Sequence, residues 1–264
     1  TGVAEVETPM AVLFLPVLRA KASGVMYTRD PSDPKSKVLW ITATRGLGLE
    51  IASGRTGADL FVVSRKGPHD TLDRNIVEKG EQLVVQAGGG PARAAIAPGA
   101  ARLASLEQND IRVLAEWGVQ IEKHLGTPQD VEWVLDDEGK LWILQSRPLA
   151  LVDAVRAKKS RVVREPVLTG GRTIYPGRVS GAAHLAEDAN AVRSAPVGSI
   201  LFVRRPSPEM VEFFPRIGGL VAERGNVAGH VAALLREFKV PSVFLMPGAF
   251  GSVKAGDEVS LDAV

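Results

Sequence analysis

His230 follows a glycine turn and opens an apolar helical period, a setting in which an imidazole could carry a phosphoryl group. Around it, Gly218 to Phe244 reads as a buried strand, a Gly-rich turn and a short helix with Val231, Leu234, Leu235 and Phe238 on one stripe. Val240-Pro241 then leads into another strand. A helix start offers unpaired backbone N–H groups and the positive end of the helix dipole, both of which favour phosphate oxygens. Imidazole is a competent nucleophile near neutral pH. The pattern therefore predicts His230 as a phosphorylated nucleophile; the plain alternative is an ordinary first residue of a helix.

A second group lies upstream. Asp130-Val131-Glu132-Trp133-Val134-Leu135 and Leu141-Trp142-Ile143-Leu144-Gln145-Ser146-Arg147 flank Asp136-Asp137-Glu138-Gly139-Lys140, which predicts an antiparallel hairpin with a glycine turn. Strand alternation puts Asp130 and Glu132 on one face and Gln145 and Arg147 together on the partner strand. If the register aligns these faces, two carboxylates, an amide oxygen and a guanidinium converge. Oxygen donors of this kind suit Mg²⁺, and arginine offers a fork to a phosphoryl group. A merely solvated polar face is the competing reading.

The turn and helix around His230 resemble the phosphohistidine domain of the phosphoenolpyruvate-utilising enzymes, the family of phosphoenolpyruvate synthase and pyruvate phosphate dikinase. That family reads Gly-Gly-x-Thr-(Ser/Cys)-His-Ala-Ala-x-x-x-Arg-Glu-x-x-x-Pro-Ala-Val. His230, Ala232, Ala233, Arg236, Glu237, Pro241 and Val243 follow it. Ala228-Gly229 stands where the family has Thr-(Ser/Cys), so hydroxyls that could meet a phosphate or orient the ring are missing. The Gly-Gly pair is Arg224-Gly225 or Gly225-Asn226, according to the alignment of the turn.

The hairpin is similar to the family's ATP-grasp closing signature, Asp-x-Glu-(Trp/Phe)…Gln-x-Arg-Pro. That likeness implies Glu132 and Gln145 as metal ligands, Asp130 as their support and Arg147 as a contact to the transferred phosphates. Ala22-Ser23-Gly24-Val25-Met26-Tyr27-Thr28-Arg29-Asp30-Pro31 resembles a family loop. Arg45 to Asp59 resembles its Gly-Leu-Gly…Ser-Gly segment, with Leu49 at the usual acidic position and Glu50 next. The resemblance implies ATP and Mg²⁺ as cofactors, and pyruvate or phosphoenolpyruvate as the acceptor, bound through a domain this sequence lacks. A different acceptor such as an antibiotic, and a non-catalytic regulatory module, are the rival implications.

These residues must be positioned by elements that the remaining pattern outlines. Strands are predicted at Val12–Val17, Val38–Thr42 and Leu60–Val63, and an amphipathic helix over Asp110–His124 with Asp110 as its N-cap. Further on, strands at Gly177–Leu185, Ser199–Val203, Gly219–Ala222, Ser242–Leu245 and Glu258–Leu261 alternate with helices at Pro208–Phe214 and after His230. The fold class expected is α/β (α+β). A partial ATP-grasp domain spans 1–150, a basic linker 151–169 and a small layered, swivelling phosphohistidine domain 170–264.

The chain has 264 residues, 45% hydrophobic and 23% charged, with a net charge of +2. That is a globular balance, and it gives no reason to infer a nucleic-acid partner. The absence of cysteine excludes disulfides and thiolate metal sites. With no long apolar run and no signal peptide, the expectation is a cytoplasmic protein without a membrane partner, with a homodimer left open. Because an apolar strand begins almost at Thr1, the chain reads as an excised fragment, expected to fold but not to phosphorylate itself.

His69, His124 and His184 show no metal-ligand spacing and read as surface or helix-end residues. Trp40, Trp117, Trp133 and Trp142 read as core or interface packing. Arg236, six positions past His230, points round the helix from it, towards solvent or a neighbouring domain.

Overall fold

The computed structural model describes residues 16–33, 35–50, 57–152 and 166–264. Most of the strand expected at 12–17, and the core of the expected linker, fall outside these. The remainder forms two six-stranded sheets and a separate hairpin.

The first sheet is antiparallel throughout. Its strands are β1 (Ala20–Tyr27), β2 (Val38–Arg45), β3 (Asp59–Ser64), β4 (Thr71–Asn75), β7 (Gln129–Asp136) and β8 (Leu141–Pro148), in the order β4-β3-β2-β1-β7-β8. Between β4 and β7 the chain makes the separate hairpin, β5 (Glu81–Val85) and β6 (Pro91–Ala95), and then the helix α1 (Gln108–Leu125). Buried Ile111, Leu114 and Ala115 of α1 pack on the sheet face that carries Met26, Ile41, Phe61, Val131 and Trp133. Alternation in the strands leaves the opposite face to Val25, Tyr27, Trp40, Leu60 and Val62.

α1 begins earlier than its apolar period suggests. Its N-cap is Glu107, and Asp110 is the third helical residue, whose carboxylate accepts the Glu107 N–H at 3.3 Å to close a capping box. Asp110 therefore stabilises the helix start from the third helical position without being the N-cap, while the Glu107 side chain meets the Asp110 N–H in return. The strand β1 is a further difference. Its Ser-Gly-Val motif reads as a loop in sequence, yet Gly24 lies inside the strand, where a Cβ would fall 1.8 Å from the Thr42 carbonyl oxygen.

The second sheet is mixed, in the order β14-β10-β11-β12-β13-β9. Its strands are β9 (Arg172–Tyr175), β10 (Arg178–Ala186), β11 (Ile200–Val203), β12 (Gly219–Ala222), β13 (Ser242–Phe244) and β14 (Glu258–Asp262). The pairs β10/β11, β11/β12 and β12/β13 are parallel, and β14 and β9 flank them antiparallel. The helix α2 (Ala189–Arg193) lies between β10 and β11, and α3 (His230–Glu237) between β12 and β13. Pro208–Phe213, expected as a helix, is a 3₁₀ segment closed by short bonds such as Phe214 N–H to the Val211 carbonyl.

One face of this sheet has its own core, with Phe202, Val221, Val243 and Phe250. The other shares a core with the first sheet, where Tyr27, Trp40, Leu60 and Val62 pack with Val203, Phe214, Val231, Leu235 and Phe244. Among the described residues no helix is long and apolar enough to cross a membrane.

The turn after β1 is tied to α1 and β3 by one buried carboxylate. Glu122 accepts Arg29 Nε at 3.0 Å and both Arg65 Nη atoms at 2.7 and 2.9 Å. Burial by itself would raise its pKa, but hydrogen bonds from Thr28, Arg65 and Arg29 outweigh that and hold the carboxyl below its ordinary value. A lowered folded pKa gives stability that is present above the ordinary carboxylate value and lost as pH falls through the folded one. Glu122→Gln should cost on the order of 3 kcal/mol, because it leaves two guanidiniums without their shared anion. Urea unfolding at neutral pH checks the loss, and the gap between variant and parent should shrink on acidification.

Candidate functional site

The hairpin β7–β8 brings the four expected residues onto one face. Asp130 pairs with Arg147 and Glu132 with Gln145 in the register, before an irregularity between Glu132 and Trp133. The same face continues across β1, where Tyr27 lies beside Asp130 and Val25 beside Glu132. It is thus the face that shares its core with the second sheet.

Asp130 and Arg147 form a charge pair. Asp130 Oδ2 accepts Arg147 Nε at 2.9 Å and lies 2.8 Å from Nη2. Burial pushes the Asp130 carboxyl up, against the pull of the Arg147 hydrogen bond and charge and of the more distant Arg236. The Arg147 pKa is raised chiefly by the hydrogen bond to Asp130. Asp130 is buried, whereas the Arg147 side chain is 61% exposed, so its guanidinium keeps a solvent-facing side on which an anion could be met. Glu132 is half-buried and Gln145 exposed.

His230 is the first residue of α3, exposed, with Gly229 as its N-cap in extended conformation. The first intrahelical bond joins the Ala233 N–H to the Gly229 carbonyl, so the donors before it fall among those a helix start leaves without intrahelical partners. Asn226 knots the preceding turn: its Oδ1 accepts the Ala228 N–H at 3.0 Å and its carbonyl the Gly229 N–H at 3.1 Å. This bears on the missing hydroxyls at 228 and 229. A Cβ on Gly229 would stand 3.2 to 3.3 Å from three atoms of Asn226, so the asparagine fills the space a Ser or Cys side chain would enter. A shallow depression bordered by Pro206, Gly225, Asn226 and Phe244 lies at His230.

The two groups meet through residues whose roles the sequence did not suggest. The Tyr27 hydroxyl donates to the Ala228 carbonyl at 3.2 Å and accepts Arg236 Nη2 at 2.9 Å. Arg236 is 7% exposed, so of its two expected surroundings it takes the neighbouring unit rather than solvent. The signal available was the alternation of Ala22 to Tyr27, which turns Tyr27 to the same face as Asp130.

The other candidates divide. Trp40 and Trp133 are buried and Trp117 half-buried. Trp142, expected in packing, is 37% exposed; its Nε1 donates to Asp136 Oδ2 at 2.7 Å and Lys140 lies over its ring. Its indole is held by the hairpin turn because β8 is the edge strand and offers that face no cover. His69 Nδ1 lies 3.0 Å from the Ser64 carbonyl oxygen and His184 Nε2 2.8 Å from that of Ala191, while His124 ends α1.

The first sheet thus presents paired acidic, amide and guanidinium groups on the face whose β1–β3 part is covered by the second sheet, and that second sheet carries an exposed histidine at a helix start. Residues 1–165 match the family described as pyruvate phosphate dikinase, AMP/ATP-binding domain, and residues 195–264 match the PEP-utilising enzyme, mobile domain. The chain belongs to the pyruvate phosphate dikinase AMP/ATP-binding family.

Among curated relatives, it is 31% identical over 256 residues to a phosphoenolpyruvate synthase of Pyrococcus furiosus, covering 93% of this chain and 31% of that protein. It is 29% identical over 253 residues to a probable phosphoenolpyruvate synthase of Methanothermobacter thermautotrophicus, covering 96% of this chain and 36% of that protein. The phosphoenolpyruvate synthase of Neisseria meningitidis is 28% identical over 258 residues, with 91% and 32% covered. The chain thus spans about a third of the length of these relatives.

Proposed function

We propose that the chain is the phosphotransfer part of an ATP-dependent enzyme that phosphorylates His230 and passes the group to pyruvate, giving phosphoenolpyruvate. In this reading a partial ATP-grasp domain covers about 1–150, a linker 151–169, and a swivelling phosphohistidine domain 170–264. The observation that carries it is the seating of the His230 turn on the sheet face that bears Asp130, Glu132, Gln145 and Arg147. The names of the relatives supply phosphoenolpyruvate as the product, for which pyruvate is the acceptor that one phosphoryl transfer would convert.

Arg147, held in orientation by Asp130, meets the phosphates of ATP with the exposed side of its guanidinium. Glu132 and the amide oxygen of Gln145 would hold Mg²⁺, which supplies charge neutralisation at the nucleotide phosphates. The donor set fits. With Asp130 engaged by Arg147, one carboxylate and one amide remain, and so small a set suits an ion carried largely by phosphate oxygens and water. No group of three or more His, Cys, Asp or Glu that could hold a resident metal occurs among the described residues.

A ring nitrogen of His230 forms a bond to phosphorus while the bond from phosphorus to the nucleotide's bridging oxygen breaks, and the charge released on that oxygen falls to Arg147. In the second step a methyl proton of pyruvate passes to a base, the enolate oxygen so formed bonds to phosphorus as the phosphorus–nitrogen bond breaks, and the imidazole is restored. The protein expressed with its native flanking sequence should form phosphoenolpyruvate from ATP, Mg²⁺ and pyruvate, followed by phosphorus NMR. A labelled histidine that pyruvate does not discharge would overturn the acceptor.

A further inference from the structure

We propose that Tyr27 and Arg236 form a latch that seats the His230 turn on the first sheet. The proposal deepens the phosphotransfer reading and rests on it for its meaning, but the contact itself is independent of any chemistry.

Arg236 leaves the last turn of α3 and reaches back beneath the start of its own helix. Nη1 donates to the Val227 carbonyl at 3.3 Å and Nη2 to the Tyr27 hydroxyl at 2.9 Å, and the guanidinium carbon stands 5.3 Å from the Tyr27 ring centre. The same hydroxyl donates to the carbonyl of Ala228, two residues before His230. One phenol therefore grips both ends of the element that bears the histidine. Tyr27 and Arg236 are 2% and 7% exposed.

The apolar contacts of Trp40, Leu60 and Val62 are non-directional and would tolerate a rotated seat; the latch bonds would not. A buried guanidinium is costly without partners but regains water when the interface opens, so such a latch specifies orientation at little cost to release.

These 264 residues contain no cysteine, so two spin labels can be placed in them at Gln120→Cys on α1 and Val197→Cys before β11, both exposed, with any cysteine of the flanking sequence replaced by serine. In the native-length protein, pulsed dipolar spectroscopy should give one dominant distance. Tyr27→Phe, which keeps the ring, and Arg236→Met should each broaden it, and the double variant should do little more than either. Single-turnover labelling of His230 should fall about tenfold with the affinity for ATP unchanged, as for loss of one charged hydrogen bond. Unchanged distances and labelling in Tyr27→Phe and Arg236→Met would overturn the latch and leave the function standing. A seated, latch-sensitive parent that never labels His230 would overturn the function and leave the latch.

Discussion

His230→Gln should abolish phosphoryl labelling from ATP, and with it any phosphoenolpyruvate formation, while leaving the fold intact. The side chain is exposed and makes no hydrogen bond that holds its turn, which is knotted instead by Asn226 and gripped by Tyr27. Its loss removes the nucleophile and little else. Without a covalent intermediate neither half-reaction has a path, so the expected fall reaches the detection limit rather than a residual rate. Thermal unfolding of the variant should match the parent closely, since surface substitutions away from such contacts are usually within about 0.5 kcal/mol. Retained labelling at another residue would move the nucleophile elsewhere.

Arg147→Ala should slow single-turnover labelling of His230 by about 10²–10³-fold, the scale reported for removing one preorganised donor to developing charge. Its affinity for ATP should fall far less, because the proposed contact strengthens as charge grows on the leaving oxygen. Removing Arg147 also strips Asp130 of its hydrogen-bonded partner. Since burial already raises the Asp130 pKa and Arg147 opposes that rise, its carboxyl should titrate higher still in the variant. Arg147→Lys keeps the charge but not the fork, and should recover only part of the rate. Rapid-quench kinetics separate rate from binding. Equal losses in both would mark Arg147 as an ordinary binding residue.

The hairpin was legible because strand alternation and a five-residue glycine turn constrain it from within, and the register that pairs Asp130 with Arg147 follows from nothing more distant. The His230 helix was legible for the same reason: its apolar stripe, glycine turn and Pro241 are all local. What escaped was decided across the chain. β1 looks like a loop because Gly24 breaks the apolar run, and only the approach of the Thr42 carbonyl shows why a strand needs a glycine there. The N-cap of α1 lies at Glu107 because Glu107 and Asp110 close a reciprocal capping box, a pairing that helical period does not encode.

Tyr27 and Arg236 lie 209 residues apart, and no local pattern marks either as the other's partner. The core shared by the two sheets was hidden similarly. Trp40, Leu60 and Val62 sit on strands whose other face is buried under α1, so their segments read as runs buried on both sides without revealing what covers the second one. The departure at Ala228-Gly229 reads in sequence as missing hydroxyls; in the fold Asn226 stands where a side chain on residue 229 would enter, a neighbour no local pattern marks.

In the proposed function both sheets build one phosphotransfer site, with His230 as the group that carries the phosphoryl. The most direct measurement is peptide mapping by mass spectrometry of the native-length protein after incubation with ATP and Mg²⁺, kept alkaline throughout so that phosphohistidine survives. A single phosphoryl group on the peptide containing His230, removed by acid and absent when Mg²⁺ is chelated, is the predicted result. A phosphoryl group on any other residue, or none in a protein that demonstrably binds ATP, would contradict it.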